Sequence, residues 1–556
     1  MRKFYPEEFK IENWENLEKE LKVLLDFEVT STESLIEFWE KVSELQKILE
    51  DKGAWLYINM TRYADKVEHK DAFNDFMAQI VAKSESYFFQ LKKKFYDSNF
   101  RKDLTQKFQH LSKIIANEIE MFREENIALA VKEQEISATY GELVSKMTAD
   151  WNGEEKTIQQ LSFFLNDKDP SIREKAWRLT YKRYSKDYEK INDIFDELKE
   201  LRIKMAKNAG FDNYRDYMHK LKGRFSYSPE DLLKLHSAVE KTVVPYLEEL
   251  NNERKQKLGA DVLRPWDFNV ETEEMNPSPF KDYKELIEKG IDTITKVDPI
   301  FGREIKSMES NGFLDAENRK GKAPGGYCYP LYESGSSFIF MHAVGIRRDV
   351  ETFVHEAGHA MHNMMSKGES IIQYTNNPSE VAELASMSME LLSLPHLDNF
   401  YSLEDLEKLK KAELTDKIRF LPWGTVVDAF QHWIYINPNH TRKEREEYFS
   451  FLLDRFKIGG DWTGLEKEKA MRWVLQLHIF SYPFYYIEYV IAQLGALAIF
   501  KNYSLDKTKT LEQYKEFLKL GYSKPVSGIY SAAGIPFDFS IEHIRQLIDF
   551  VRSELK

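Results

Sequence analysis

A single cysteine, Cys328, stands in a chain of 556 residues, so no internal disulfide can form. That scarcity points to a reducing compartment, and the cytoplasm is expected. Cys328 reads as a small half-buried loop residue and not as a catalytic thiol. Glycine (24) and proline (17) are also scarce, while Leu, Glu, Lys and aromatic residues are plentiful, a balance that favours a mostly helical protein. Long apolar runs are missing. The most apolar stretch, 484 to 500, is broken by Glu488 and Gln493, and nothing approaches the ~18 residues of a membrane span. The start, Met1-Arg-Lys-Phe-Tyr-Pro-Glu-Glu, has no apolar signal-like region. The net charge of −13 is spread along the chain with no basic patch, which argues against nucleic acid as a partner.

What is present is helical periodicity. Leu17, Leu21, Leu24 and Leu25 form one apolar stripe, and Leu35, Trp39, Val42 and Leu45 another, with Thr30 and Glu33 as a capping box between them. Asn152-Gly153 marks a turn, and Asp169-Pro170 starts a further helix. The length calls for two or more lobes. A soft boundary near 160 divides an N-terminal helical region, 1–160, from 161–556. Residues 255 to 283 lose periodicity around Pro265, Pro277 and Pro279 and read as a long surface connection. Phe338-Ile339-Phe340-Met341, between Gly335-Ser336-Ser337 and Gly345, reads as a strand. The edge of a small sheet built from it is able to bind an extended peptide as one more strand, or the sheet is a structural hairpin only; Phe338 and Phe340 are candidate substrate contacts.

The most informative stretch is His355-Glu356-Ala357-Gly358-His359. Val350, Phe353, Val354, Ala357, Met361, Met364 and Met365 give it a helical apolar face; Asp349 is a candidate N-cap and Gly368 a candidate stop. Two histidines one turn apart direct both imidazoles at one ion, and the intervening Glu can meet a water bound there. A second helix is expected from Asn377-Pro378-Ser379 onward, with Pro378 near the first turn and Ser379 or Asn377 capping. It carries Glu383 and Glu390 two turns apart on one apolar face. Carboxylates in such a face need a partner, and a dication supplies one. Two His and one Glu form a common ligand set for catalytic zinc. The assignment is one Zn2+ per chain on His355, His359 and Glu383, with Glu356 kept as base.

These motifs resemble peptidase family M3, in its oligoendopeptidase F branch. Similar stretches are Gly321-Lys-Ala-Pro-Gly-Gly326, Arg348-Asp349-Val350, Ala382 to Glu390, Ala206 to Tyr217, Leu263-Arg-Pro-Trp-Asp267, Leu421-Pro-Trp423, Asp428 to Trp433, Pro483 to Tyr489 and Ala532 to Asp538. The resemblance runs from about residue 160 to the end, and His342 departs from it where a small polar residue such as Asn is expected. It implies a mostly α fold, with two helical lobes flanking a deep substrate channel and a small sheet beside the zinc helix. It implies an endopeptidase for short peptides, with 161–556 as the catalytic domain. In this family a His and two Tyr hold the oxyanion, which maps here to His478, Tyr482 and Tyr489, with Tyr485 or Tyr486 able to replace Tyr482 or contact substrate. Glu390 and Asp349 are candidates to orient the ligating imidazoles, or plain surface or capping groups. Other readings are a helical metallocarboxypeptidase and a silent peptide-binding relative. Cleavage preference and oligomeric state are not encoded in any motif here.

Overall fold

The computed structural model describes every residue except Met1, Glu274, Asn276 and Pro277. Of the prolines in the expected surface connection, Pro277 therefore lies outside the described residues. The fold is mostly α-helical, as expected, with two small sheets. Its contacts gather into two compact units, each assembled from three stretches of chain. One comprises Met1–Glu120, Asn276–Glu407 and Ala492–Phe537; the other comprises Met121–Met275, Lys408–Ile491 and Asp538–Lys556. Position 160 falls inside the first stretch of the second unit.

In the first unit the expected stripes become helices Trp14–Asp26 and Thr32–Arg62, with Leu17, Leu21, Leu24, Leu35, Trp39, Val42 and Leu45 buried. The capping box between them sits one residue later than the sequence suggests. The Ser31 hydroxyl accepts from the Ser34 amide at 3.2 Å and the Ser34 hydroxyl accepts from the Ser31 amide at 2.9 Å, so two serines close it in place of Thr30 and Glu33. The far end of the long helix packs Ala54 and Ile58 against Leu331, Phe338 and Phe340 of a three-stranded sheet. In that sheet Ser336–Ala343 is central. It runs parallel to Leu314–Glu317, with Leu314 opposite Ile339, and antiparallel to Tyr327–Leu331, with Tyr327 opposite Phe340. The Lys322 amine ties the sheet together, donating to the Asp315 and Glu317 carbonyls at 2.8 and 2.9 Å, to the Met341 carbonyl at 2.6 Å and to Asp315 Oδ1 at 2.9 Å.

Among the described residues of the second unit, the regular structure is helical apart from one hairpin. Asn152 (φ 58°) and Gly153 (φ 89°) form the tight turn between strands Thr148–Trp151 and Glu154–Thr157. Helix Pro170–Lys186 starts where expected, with Asp169 as its N-cap and Pro170 in the first turn. Between Pro229–Leu258 and Tyr283–Val297 the described residues form a short 3-10 turn, Pro265–Asp267, and no longer helix or strand. The core is braced by buried polar groups. Arg202 bonds Glu133 at 2.6 Å and the Tyr435 hydroxyl at 2.9 Å, and His236 Nε2 lies 2.7 Å from Asp428 Oδ2. His236, Asp428 and His432 could offer a ligand set, but that separation is the length of a hydrogen bond, which here links helix Pro229–Leu258 to helix Leu403–Ile436. Among the described residues no helix is long and apolar enough to cross a membrane.

Candidate active site

His355 and His359 lie on the helix Arg347–Ser366. Asp349 is not its N-cap. Ile346 holds that position, and Asp349, in the first turn, folds back so that Oδ2 accepts from the amides of Val344, Gly345 and Ile346 at 2.7, 2.8 and 3.1 Å. Asp349 therefore fixes how the chain leaves the central strand and enters the helix. The helix ends at Ser366, with Lys367 as C-cap, before Gly368 is reached.

The second helix, Ser379–Ser393, begins with Pro378 at the N-cap and no side-chain cap from Ser379 or Asn377. Gly358 sets its distance from the first helix. A Cβ on Gly358 would stand 2.6 Å from Ser386 Cα and 2.9 Å from the Ala385 carbonyl oxygen, so only glycine lets the two backbones come this close. From the far side the Tyr514 hydroxyl donates to the Ala385 carbonyl at 2.8 Å and the Tyr530 hydroxyl to the Glu380 carbonyl at 3.0 Å. Both hydroxyls are buried donors satisfied only with the helix in this position.

This packing gathers the three expected ligands. The rings of His355 and His359 are 5.0 Å apart and nearly perpendicular. Their Nε2 atoms lie 3.6 and 3.9 Å from Glu383 Oε2. One donor atom from each residue falls within 4.8 Å of the others. His355 Nδ1 donates to Glu390 Oε1 at 2.6 Å, which turns Nε2 toward Glu383. Ser386, which no sequence pattern singles out, donates to Glu383 Oε2 at 3.1 Å.

The site carries surplus negative charge. Burial pushes the Glu356 carboxyl up to about 7, with Glu383 and Glu390 adding to the rise and His355 opposing it. Burial acts to lower His355, but the bond to Glu390 and the nearby carboxylates outweigh it and hold it at about 9. Burial, with the charge of His355, drives His359 well down. Three carboxylates beside two imidazoles suit a dication, and two nitrogens plus one oxygen suit zinc. Cys328 lies near this site, its thiol pushed well up by burial and further by the Glu356 charge.

The sequence model of peptidase family M3 matches residues 163–546. The chain belongs to peptidase family M3. It is a metalloendopeptidase of the oligoendopeptidase F type. An oligoendopeptidase F homolog of Borreliella burgdorferi is 23% identical over 520 residues, covering 88% of this chain and 85% of the relative. One from Lactococcus lactis subsp. lactis is 23% identical over 563 residues, covering 91% and 87%. A solved structure of PZ peptidase A with an inhibitor superposes with a TM-score of 0.88 at 27% identity, covering 99% of this chain and 98% of that one.

The remaining M3 candidates divide between packing and accessible positions. Phe338 and Phe340 are corrected: at 0% and 1% exposure they face the core cluster under the long N-terminal helix and are closed to substrate. Their strand is central, so it is the neighbouring strand, Tyr327–Leu331, that forms a sheet edge. The ring nitrogens of His342 lie 3.1 Å from Asn318 Oδ1 and 2.7 Å from the Ala323 carbonyl, tying the strand to the Gly321 loop.

In the second unit, His478 sits 4.7 to 6.4 Å, ring to ring, from Tyr482, Tyr485, Tyr486 and Tyr489. The Gln476 amide lies 2.8 Å from His478 Nδ1 and donates to it, which leaves Nε2 as the donor. Phe484 turns the chain between these tyrosines with φ at +59°. Three groups hold that strained residue. Its amide donates to Gln431 Oε1 at 2.7 Å, its carbonyl accepts from Arg224, and Arg224 in turn pairs with Glu488 at 2.7 Å.

Proposed function

We propose that this M3 peptidase hydrolyses internal bonds of short peptides at a zinc ion held by His355, His359 and Glu383. The observation that carries the reading is the convergence of these side chains from two helices, backed by Glu390 on the far nitrogen of His355. When bound there, zinc supplies Lewis acidity, lowering a water's pKa toward ~7 and polarising a carbonyl. Glu356 takes the proton of the attacking water and passes it to the departing amine nitrogen. Glu390 keeps His355 in the tautomer that offers Nε2, and Ser386 fixes the carboxylate of Glu383. The outer strand Tyr327–Leu331 pairs with the extended peptide. His478, Tyr482 and Tyr489 donate to the developing oxyanion, with Tyr485 and Tyr486 shaping the approach. This part rests on the likeness of their segment to the corresponding stretch of the family. The single cysteine fits a cytoplasmic setting.

The test is mass spectrometry of an end-blocked peptide library incubated with wild type and Glu356→Gln, with metal analysis of both. Wild type cuts internal bonds; Glu356→Gln loses activity by a factor of ~10²–10⁴ and keeps its zinc. Undiminished cutting by Glu356→Gln removes Glu356 as base. Cleavage confined to free C-termini makes the enzyme a carboxypeptidase.

A further inference from the structure

The second unit contains a cavity of about 280 Å³ that peptide hydrolysis does not explain. Its size lies at the small end of ligand pockets, ~300–1,000 Å³, which suits one ring with a short polar group. Its walls are aromatic: Trp177, Tyr181, Phe268, Trp423 and Trp462. The Trp177 ring lies 4.1 Å from Tyr181 and 6.0 Å from Trp462. One side is a tight loop in which Lys457, Gly459 and Gly460 all have positive φ. A Cβ on Gly459 would stand 2.6 Å from the Trp462 ring, so the loop closes on that wall only because the residue is glycine.

The charged part of the lining is cationic, and Thr180, Asn251 and Asn269 add neutral polar groups. Arg419, Lys457 and Arg472 contribute, and no Asp or Glu does, in a chain whose net charge is −13. Arg472 stacks on Trp423 at 4.7 Å and reaches the Tyr181 hydroxyl at 3.3 Å, a neutral acceptor. Arg419 has Asp416 at 3.5 Å on one side, but its Nε is buried without a hydrogen-bond acceptor. Lys457 faces Glu248 at 3.9 Å. Burial lowers the pKa of Arg419, and an anion beside the guanidinium opposes that. A carboxylate satisfies such a group with charge-assisted bonds.

We propose that this cavity binds a carboxylate carried on an aromatic side chain or ring, the ring against Trp177 and Trp462 and the carboxylate on Arg419 and Arg472. The C-terminal aromatic residue of a peptide and a small aromatic acid both have this chemistry. The site does not depend on the metal or on Glu356.

Calorimetric titration of the full-length protein tests it. The probes are N-acetylphenylalanine, its amide, N-acetylleucine, and the peptide N-acetyl-Ala-Ala-Phe with a free or amidated C-terminus. N-acetylphenylalanine is expected to bind at least tenfold more tightly than its amide or N-acetylleucine. Arg472→Met and Arg419→Met each lower that affinity tenfold or more, whereas His355→Ala leaves it unchanged. Binding of the free-acid peptide identifies a peptide terminus as the ligand; binding of the single residue alone identifies a small acid. Equal affinity for acid and amide, no binding at millimolar probe, or loss of binding in His355→Ala overturns the proposal. Should an arginine variant fail to fold, the wild-type acid-to-amide ratio and the His355→Ala titration decide it.

Discussion

Among single residues, Glu390 has the clearest consequence. It sets which nitrogen of His355 is available. Glu390→Ala is expected to weaken zinc affinity ~10- to 100-fold, measured by competition with a chelating indicator. Unchanged affinity would show that helix packing alone orients His355. Asp315 gives a second test. Burial alone raises its pKa, but hydrogen bonds from Arg319 and Lys322 and their charges outweigh this and hold the carboxyl well below the usual carboxylate range. A carboxyl whose folded pKa is depressed contributes stability that is complete above the unfolded value, ~3.9, and is lost as pH falls below it. Wild type should therefore keep its stability advantage over Asp315→Asn from neutral pH down to pH ~4 and lose it progressively as pH falls further, measured as the difference in urea midpoints. A difference that stays constant with pH would refute this.

Elements carry the geometry of the site. The contact between helices Arg347–Ser366 and Ser379–Ser393 depends on the missing side chain of Gly358. Gly358→Ala must push the helices apart or strain them, at a cost of ~1–3 kcal/mol. The expected result is a lower urea midpoint together with reduced zinc content; full zinc content at wild-type stability would mean that the helices separate freely. Both helices were legible in the sequence because a metal set imposes spacings that survive in one dimension: His355 and His359 one turn apart, Glu383 and Glu390 two turns apart on a buried face. Ser386 was not legible, since a serine in the middle of a helix has no pattern that marks a ligand's partner. The strand around Phe338 is legible, but its place in the sheet is not. A short apolar run reads alike at the centre and at the edge of a sheet, and only the neighbours at Leu314–Glu317 and Tyr327–Leu331 distinguish them. The hairpin at Thr148–Thr157 was missed except for its Asn-Gly turn, because its strands are short and polar.

At the scale of the whole molecule, zinc should act as a structural ligand as well as a reagent. Anything bound only to the folded state stabilises it, by ~2.7 kcal/mol at a hundredfold excess over Kd. Removing metal with a chelator is expected to lower the thermal transition of the wild type reversibly and to leave that of His355→Ala unmoved. A wild-type transition insensitive to chelator would place the metal outside the folding balance. The sequence could not reveal how the chain is interleaved. Trp39 donates to Gln373 at 2.9 Å, and the Tyr374 hydroxyl accepts from the Leu111 amide at 3.1 Å, contacts that join residues hundreds of positions apart. During synthesis, then, Trp14–Asp26 and Thr32–Arg62 can pack early on Ala82–Asp97, where Trp39 meets Phe95, but the face of Thr32–Arg62 that meets Phe338, Phe340 and Gln373 stays uncovered until those residues have followed. Until then that uncovered face makes the nascent chain a client for chaperones.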